Sequence, residues 1–181
     1  MPPLPERVII PNFMQKQLQS NWCWAACATS VGLYFKTGSW TQCGTANYCI
    51  PSTSCWKGPS QNCCSSPSSC NCYGALDQAL KYTKSFNEMR TGPMSATDIP
   101  AQIKLMRPIC VRVLWNAGGA HFMAITGFQS PIWRSDSPAT SAYYIYLQDP
   151  IYGSSSMLYT DFPSKYQGGG TWTYTYLTQP Q

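Results

Sequence analysis

The chain has 181 residues, enough for one compact domain with its own hydrophobic core. Charged residues make up only 10% of it, against roughly 25% in an average soluble protein, so a coiled coil or a charged disordered chain is excluded. The net charge of +5 comes from scattered basic residues, and no apolar run approaches the roughly 18 residues that a membrane helix needs. We therefore expect no nucleic-acid partner and no membrane partner.

Residues 1–16 are rich in proline and predict an extended arm that packs on the domain without filling its cleft. The start, MPPLPERVII, has no long apolar segment between a basic start and a cleavage site, so it does not predict a signal peptide. If the protein is exported, we expect this chain to be the mature form behind an added Met1, or export by a signal-independent route.

The pattern becomes helical from Asn21, where apolar side chains recur at steps of three and four residues as far as Phe35. Asn21 is the expected N-cap, and Gly38 is the expected stop. The pattern predicts a buried amphipathic helix that begins close to Cys23.

Residues 39–72 contain many Cys, Ser, Pro, Asn and Gly residues and show no periodicity, which predicts an insertion held by disulfides rather than by packing. Seven of the ten cysteines lie between Cys43 and Cys72. Such density is typical of proteins from an oxidising compartment, so the sequence predicts a secreted protein.

Helices come before strands in the remaining chain. A second helix is predicted over residues 73–86, and Ser95-Ala-Thr-Asp98 resembles a capping box that opens a short third helix ending before Pro108. Four strands are predicted over residues 109–115, 121–128, 143–147 and 171–177. This order is typical of an α+β fold with an antiparallel sheet, and residues 17–181 are expected to form a single domain.

The chain has one histidine, His121, and any mechanism that needs an imidazole must use it. It follows Gly118-Gly119-Ala120, whose small side chains would let another group approach the ring. Cys23 lies near the predicted start of a helix, where free N–H groups and the helix dipole stabilise a thiolate. A protonated histidine beside such a thiol can lower its pKa from about 8.5 to roughly 3–4.

Two further side chains could complete a nucleophilic site. Gln17, six residues before Cys23, could donate to an oxyanion together with the Cys23 backbone N–H. Asp149, at the end of a predicted strand, is the best placed candidate to hold the imidazole in its useful tautomer.

Two segments resemble those of papain-like cysteine peptidases. Gln17-Leu-Gln-Ser-Asn-Trp-Cys23-Trp-Ala-Ala looks like their Gln-x5-Cys-Trp signature, and His121-Phe-Met-Ala-Ile-Thr-Gly-Phe is similar to their His-strand-Gly-aromatic segment. The likeness is greatest to the short bacterial members of avirulence-effector type. Their motifs are matched in one collinear order by Trp40-Thr-Gln-Cys43, Cys63-Cys64, Cys70-Asn71, Arg107-Pro108, Gly119-Ala-His121, Asp149-Pro150 and Gly170-Thr-Trp172.

The resemblance implies a helical lobe and a β-barrel-like lobe with a cleft between them. It implies Cys23 as nucleophile, His121 as general base and acid, Asp149 as the residue that orients His121, and Gln17 as oxyanion donor. We also expect three residues to contribute to substrate binding, with the last of them shielding the ion pair from water: Trp24, Gly119 and Trp172. No cofactor and no metal are implied.

Cysteine parity gives a separate expectation. If Cys23 is free, nine cysteines remain, so another must be unpaired; Cys110, in an apolar strand, is the expected one. The other eight would form four disulfides, and we expect Cys27 to anchor its helix to the insertion. Zinc binding by the insertion is a weaker alternative, because its cysteines lack the paired Cys-x2-Cys spacing of zinc sites.

These features predict a secreted, monomeric endopeptidase that acts on a protein of another organism. A glutamine deamidase or transglutaminase-like toxin would use the same triad, because both reactions pass through a thioester and differ only in leaving group and acceptor. A catalytically silent, disulfide-rich binding module is the alternative from a different class, and its Cys23 would be paired or unreactive.

Overall fold

The computed structural model describes residues 6–131 and 142–181. The helices are α1 (Cys23–Tyr34), α2 (Gln42–Cys49), α3 (Leu76–Tyr82) and α4 (Ile99–Ile103). The strands are β1 (Arg7–Ile9), β2 (Phe86–Thr91), β3 (Ile109–Trp115), β4 (Ala120–Gln129), β5 (Tyr144–Asp149), β6 (Gly153–Leu158) and β7 (Gly170–Thr178). None of the described helices combines the length and apolar character that crossing a bilayer requires.

All strands pair antiparallel in one sheet of order β2-β7-β3-β4-β5-β6, and β1 is added to β4. This mixture of helices and an antiparallel sheet confirms the predicted α+β class. The four predicted strands are β3, β4, β5 and β7. The sequence missed β2 and β6 because both are edge strands whose mostly exposed residues show no apolar alternation.

Helix α1 passes through the centre of the helical part of the molecule. Ten of its twelve residues are buried, so it has no polar face and the expected amphipathic character is wrong. The expected N-cap is also wrong: helix α1 begins without a side-chain cap, because the Asn21 side chain hydrogen-bonds Asn71 instead. First-turn N–H groups beside Cys23 therefore have no side-chain acceptor.

The insertion is packed more tightly than its composition predicts. Helix α2 lies within it, capped by Thr41, whose hydroxyl accepts from the Gly44 N–H, and Ala46 is fully buried against the core that contains α1. The sequence missed this helix because its Cys, Gly, Thr and Asn residues have weak helix propensity and tertiary contacts outweigh that preference.

Two disulfides are present, Cys43–Cys64 and Cys63–Cys70, which confirms the disulfide-stapled insertion but not the expected four bonds. Cys110 is free and buried, as predicted. The expectation that Cys27 is tied to the insertion by a disulfide is wrong: it is free and fully buried, near Cys110 and Cys23.

Two apolar cores lie on opposite faces of the sheet. Helices α1 and α3 pack on the face that carries Cys110 and Phe122. Helix α4 packs on the other face, with Val111 and Met123. Alternate residues of β3 and β4 thus serve different cores, as the two-residue period of a strand requires.

The arm continues the sheet at one end. Strand β1 pairs with residues 127–129 of β4, beyond Ile125, where the pairing of β4 with β3 stops, and Ile10 is fully buried. Six residues of extended strand, about 20 Å, separate Gly127 from His121. Strand β1 therefore lies away from His121, whereas Lys16, at the other end of the arm, lines a cavity together with Gln17 and Pro150.

Candidate active site

Two tryptophans on either side of Cys23 fix the start of α1. The Trp22 indole N–H donates to the Cys70 carbonyl at 2.8 Å, and the Trp24 N–H donates to the Cys72 carbonyl at 3.1 Å. Both rings are fully buried. Trp24, expected to bind substrate, instead packs beneath the 70–74 segment and exposes no surface in this structure.

Asn71 holds the same segment to the residues just before α1. Its side-chain oxygen accepts from the Asn21 N–H at 2.8 Å, while its amide nitrogen donates to the Ser20 hydroxyl. The Asn21 amide in turn donates to the Asn71 carbonyl. These bonds fix the approach of the chain to Cys23, a task that the Cys70-Asn71 motif alone did not reveal.

The structure brings Cys23 and His121 together across the junction of α1 and β4. Both side chains are almost completely buried, at 4% and 3% exposure. The Cys23 thiol lies close enough to the imidazole to raise the pKa of His121. Because Nε2 of the ring is occupied by Asp149, the remaining nitrogen, Nδ1, is the one available to Cys23.

Asp149 is held by four donors. Its Oδ1 accepts from His121 Nε2 at 2.9 Å and from the backbone N–H groups of Ile151 at 2.7 Å and Tyr152 at 3.0 Å. Its Oδ2 accepts from the Tyr166 hydroxyl at 3.0 Å. Because a carboxylate can only accept here, Nε2 of His121 must carry a proton.

These contacts determine the charges of the pair. Burial alone would lower the pKa of His121, but the hydrogen bond with Asp149 and the nearby Cys23 and Asp149 groups outweigh burial and raise the pKa to about 9. Burial would raise the pKa of Asp149, whereas His121 and the two backbone N–H groups lower it overall. At neutral pH the site therefore holds an imidazolium and a carboxylate.

Aromatic rings cover the His121–Asp149 pair. The Trp115 ring stacks on the imidazole with centroids 5.7 Å apart, and Tyr152 meets it edge-on at 6.3 Å. Trp172 was expected in this role, but it is 4% exposed, packs against Phe162 and donates its indole N–H to the Tyr174 carbonyl. Trp172 thus contributes to the core and offers little surface to a substrate.

Gln17 lies close to the same junction, with its backbone N–H bound to the Pro150 carbonyl. Its side-chain nitrogen donates to the carbonyls of Gln19 and Ser20, at 2.9 and 2.7 Å, so both amide hydrogens have acceptors. Its amide oxygen is buried without a partner. In this arrangement the Gln17 amide must turn before it can donate to an oxyanion.

Two cavities open beside the cluster. One, of about 540 Å³, is lined by residues 16–20 together with Asn71 and the Pro150–Ile151 turn. The other, of about 320 Å³, includes Gly119, and its walls are formed by Tyr73, Gly74, Arg112, Leu114, Ala120 and Phe122. Gly119, with φ of +80°, therefore lines a cavity two residues before His121, where it was expected to contact substrate.

Four other free thiols are in surroundings that suppress ionisation. Burial raises the pKa of Cys27 well above its ordinary value, that of Cys49 and Cys110 to about 12, and that of Cys55 to about 11. None of these four has a histidine beside it, because the chain has only one. Among the described residues, no group of His, Cys, Asp or Glu side chains is arranged to hold a metal ion.

A cysteine at the start of a helix, beside a histidine bound to a carboxylate, is the arrangement used by hydrolases with a thiol nucleophile. A family model described as "Peptidase_C39 like family" matches residues 9–178. The chain therefore belongs to the Peptidase_C39-like family. A search of the curated proteins finds no match.

Proposed function

We propose that the protein is a cysteine peptidase in which Cys23 is the nucleophile, His121 the general acid and base, and Asp149 the residue that orients the imidazole. The observation that carries this proposal is the His121 ring, which hydrogen-bonds Asp149 at 2.9 Å and lies beside the Cys23 thiol at the start of α1. Membership of a peptidase-like family supports the same conclusion.

The reaction follows from this geometry. The Cys23 thiolate attacks the peptide carbonyl carbon, and the resulting oxyanion accepts from the Cys23 backbone N–H at the uncapped start of α1. Gln17 becomes the second donor when its amide turns away from the Ser20 carbonyl. The C–N bond breaks as His121 Nδ1–H protonates the leaving amine, which yields a thioester. His121 then takes a proton from water, whose oxygen attacks the thioester and releases Cys23.

We further propose an endopeptidase that is secreted as a monomer and acts on a protein of another organism. Two disulfides support an oxidising destination, and the resemblance to effector-type peptidases supports a foreign target. The two cavities, one lined by residues 16–20 and the other by residues 119–120, support an endopeptidase because they leave room for a longer peptide near Cys23.

The decisive experiment is incubation with an unstructured protein substrate, followed by mass spectrometry of the products. We expect pairs of fragments whose masses sum to the substrate plus one water. An intact substrate that gains about 1 Da per site would contradict the peptidase proposal and identify a glutamine deamidase, which uses the same thioester chemistry. An unchanged substrate mass would favour a silent binding module.

The pH dependence gives a separate prediction. Since the pKa of His121 is raised from its ordinary 6.5 to about 9, the imidazolium is present at neutral pH and is lost as pH rises through 9. We expect kcat/KM to fall above about pH 9, because the leaving amine then lacks its proton donor. The measurement is kcat/KM for a fluorogenic peptide between pH 6 and 10.

Asp149→Asn tests whether His121 controls the alkaline limb of this pH profile. Loss of the negative charge removes a cause that raises the His121 pKa, so the alkaline limb should move to lower pH. An alkaline limb that stays in place in the variant would show that another group controls it.

A further inference from the structure

The cavity of about 320 Å³ beside Gly119 combines apolar walls with one cation. Tyr73 and Leu114 are 64% and 43% exposed, although both are large and apolar, so the cavity offers open apolar surface to a ligand. Gly119 and Ala120 form the wall next to His121. A side chain of a peptide bound at Cys23 can therefore reach this cavity without leaving the site.

Arg112 supplies the cation. It lies on β3, on the same face as Leu114, and its guanidinium is held in place from β7: Nη1 donates to the Thr173 hydroxyl at 2.9 Å, and the guanidinium carbon lies 5.8 Å from the centre of the Tyr174 ring. Only one of its five N–H donors is used by these contacts. The guanidinium is thus positioned, and most of its hydrogen-bonding capacity is free.

No carboxylate within the described ranges, 6–131 and 142–181, forms an ion pair with Arg112. Asp77 and Arg112 both influence Tyr176, but Asp77 is paired with Lys81 at 3.0 Å. A partly buried arginine usually has an acidic partner or a bidentate acceptor. Among the described residues, the guanidinium therefore keeps free donors that a ligand carboxylate could use.

We propose that Arg112 determines substrate specificity by binding the carboxylate of a glutamate or aspartate side chain that enters this cavity. The inference rests on the proposed function, because the ligand is a peptide substrate. Two parallel N–H···O bonds from the guanidinium would hold the carboxylate, while Tyr73, Leu114 and Phe122 contact the aliphatic part of the side chain. The net charge of +5 on the protein also favours the approach of acidic peptide segments.

The test uses internally quenched peptides with amidated C-termini, in which one position at a time carries Glu, Gln or Lys. At one position, kcat/KM for Glu should exceed that for Gln by about tenfold. Arg112→Met should reduce this ratio to about one, and Arg112→Glu should invert the order in favour of Lys. Arg90→Gln is the matched control: it removes one positive charge on β2, where Arg90 pairs with exposed Glu88, and should leave the ratio unchanged.

A Glu/Gln ratio near one at every position in the wild type, or a preference that survives in Arg112→Met, would overturn the inference while peptide cleavage itself continues. A preference seen only in peptides with a free C-terminus would also overturn it, since the carboxylate bound would then be the chain end. Thermal unfolding of each variant checks that the fold is retained.

If the wild type cleaves no peptide, the proposed function fails. Peptide binding then tests the role of Arg112 independently of catalysis. Cys23→Ala protein titrated by calorimetry should bind the Glu peptide about tenfold more tightly than the Gln peptide, and the Cys23→Ala/Arg112→Met protein should bind both alike. Equal affinities for the two peptides in the Cys23→Ala protein would reject the role of Arg112.

Discussion

Replacing Cys23 with alanine is expected to reduce kcat/KM by about 10⁴- to 10⁶-fold, because no other thiol can take over the attack on the peptide carbonyl. The remaining free thiols whose pKa is raised by burial stay protonated at neutral pH. The change removes only one sulfur atom from a side chain that is buried at 4% exposure. The fold should therefore be retained. Initial rates with a fluorogenic peptide, together with circular dichroism, provide the measurement.

Cys27→Ala is the matched control for this substitution. Cys27 lies one helical turn further along α1, is fully buried and has a raised pKa. Its loss should cost about 1–2 kcal/mol in the free energy of unfolding and leave turnover near the wild-type rate. Wild-type turnover in Cys23→Ala, or equal inactivation of both variants, would contradict the assignment of Cys23.

Alkylation at mildly acidic pH without reductant examines the same assignment on the unaltered protein. A thiol beside an imidazolium reacts as thiolate under conditions where an ordinary thiol is nearly inert. Peptide mapping should find Cys23 labelled first and Cys27 and Cys110 unlabelled. A Cys23 that resists labelling until high pH would indicate a silent binding module.

The central strands could be predicted because their patterns come from burial, and burial is encoded by residue type. Strands β3, β4 and β7 lie inside the sheet, so their residues read as apolar runs, whereas β2 and β6 form its edges and carry no such signal. Helix α2 depends on what packs around it: Thr45 hydrogen-bonds Thr29 of α1 in the interior. Its own sequence has no helical periodicity to find.

In the candidate site, too, the sequence predicted some residues and missed others. Cys23, His121 and Asp149 were identified from residue chemistry and motif order, and the structure brings these three together. Trp115 and Tyr166 were missed, because their contacts with His121 and Asp149 arise only when distant parts of the chain meet. Cysteine pairing escaped prediction for a related reason, since eight cysteines allow 105 pairings and spacing does not choose among them.

Replacing Asp149 with alanine is expected to lower kcat/KM by about 10²- to 10⁴-fold and to destabilise the protein. The variant leaves the N–H groups of Ile151 and Tyr152 and the Tyr166 hydroxyl without their acceptor, in a buried place. It also leaves the His121 ring free to rotate or to lose its proton. Kinetics and denaturant unfolding at pH 7 measure the two effects.

Asp149→Asn should be much milder at pH 7, for a geometric reason. The backbone N–H groups of Ile151 and Tyr152 both point at the Oδ1 position, so the amide oxygen must occupy it and still accept from His121 Nε2. The amide nitrogen then faces the Tyr166 hydroxyl, which can rotate to accept. Equal losses of kcat/KM in the alanine and asparagine variants would show that charge, rather than an acceptor at Oδ1, is what His121 requires.

The loss of stability caused by Asp149→Ala, relative to the wild type, should also depend on pH in a defined direction. The folded-state pKa of His121 is raised to about 9, so its pairing with Asp149 contributes stability that is fully present below about 6.5 and is lost as pH rises through 9. The difference in unfolding free energy between the wild type and Asp149→Ala should therefore be larger at pH 6.5 than at pH 10. A difference that stays constant across this range would mean that His121 is not charged beside Asp149, and the ion pair on which the proposed mechanism depends would be absent.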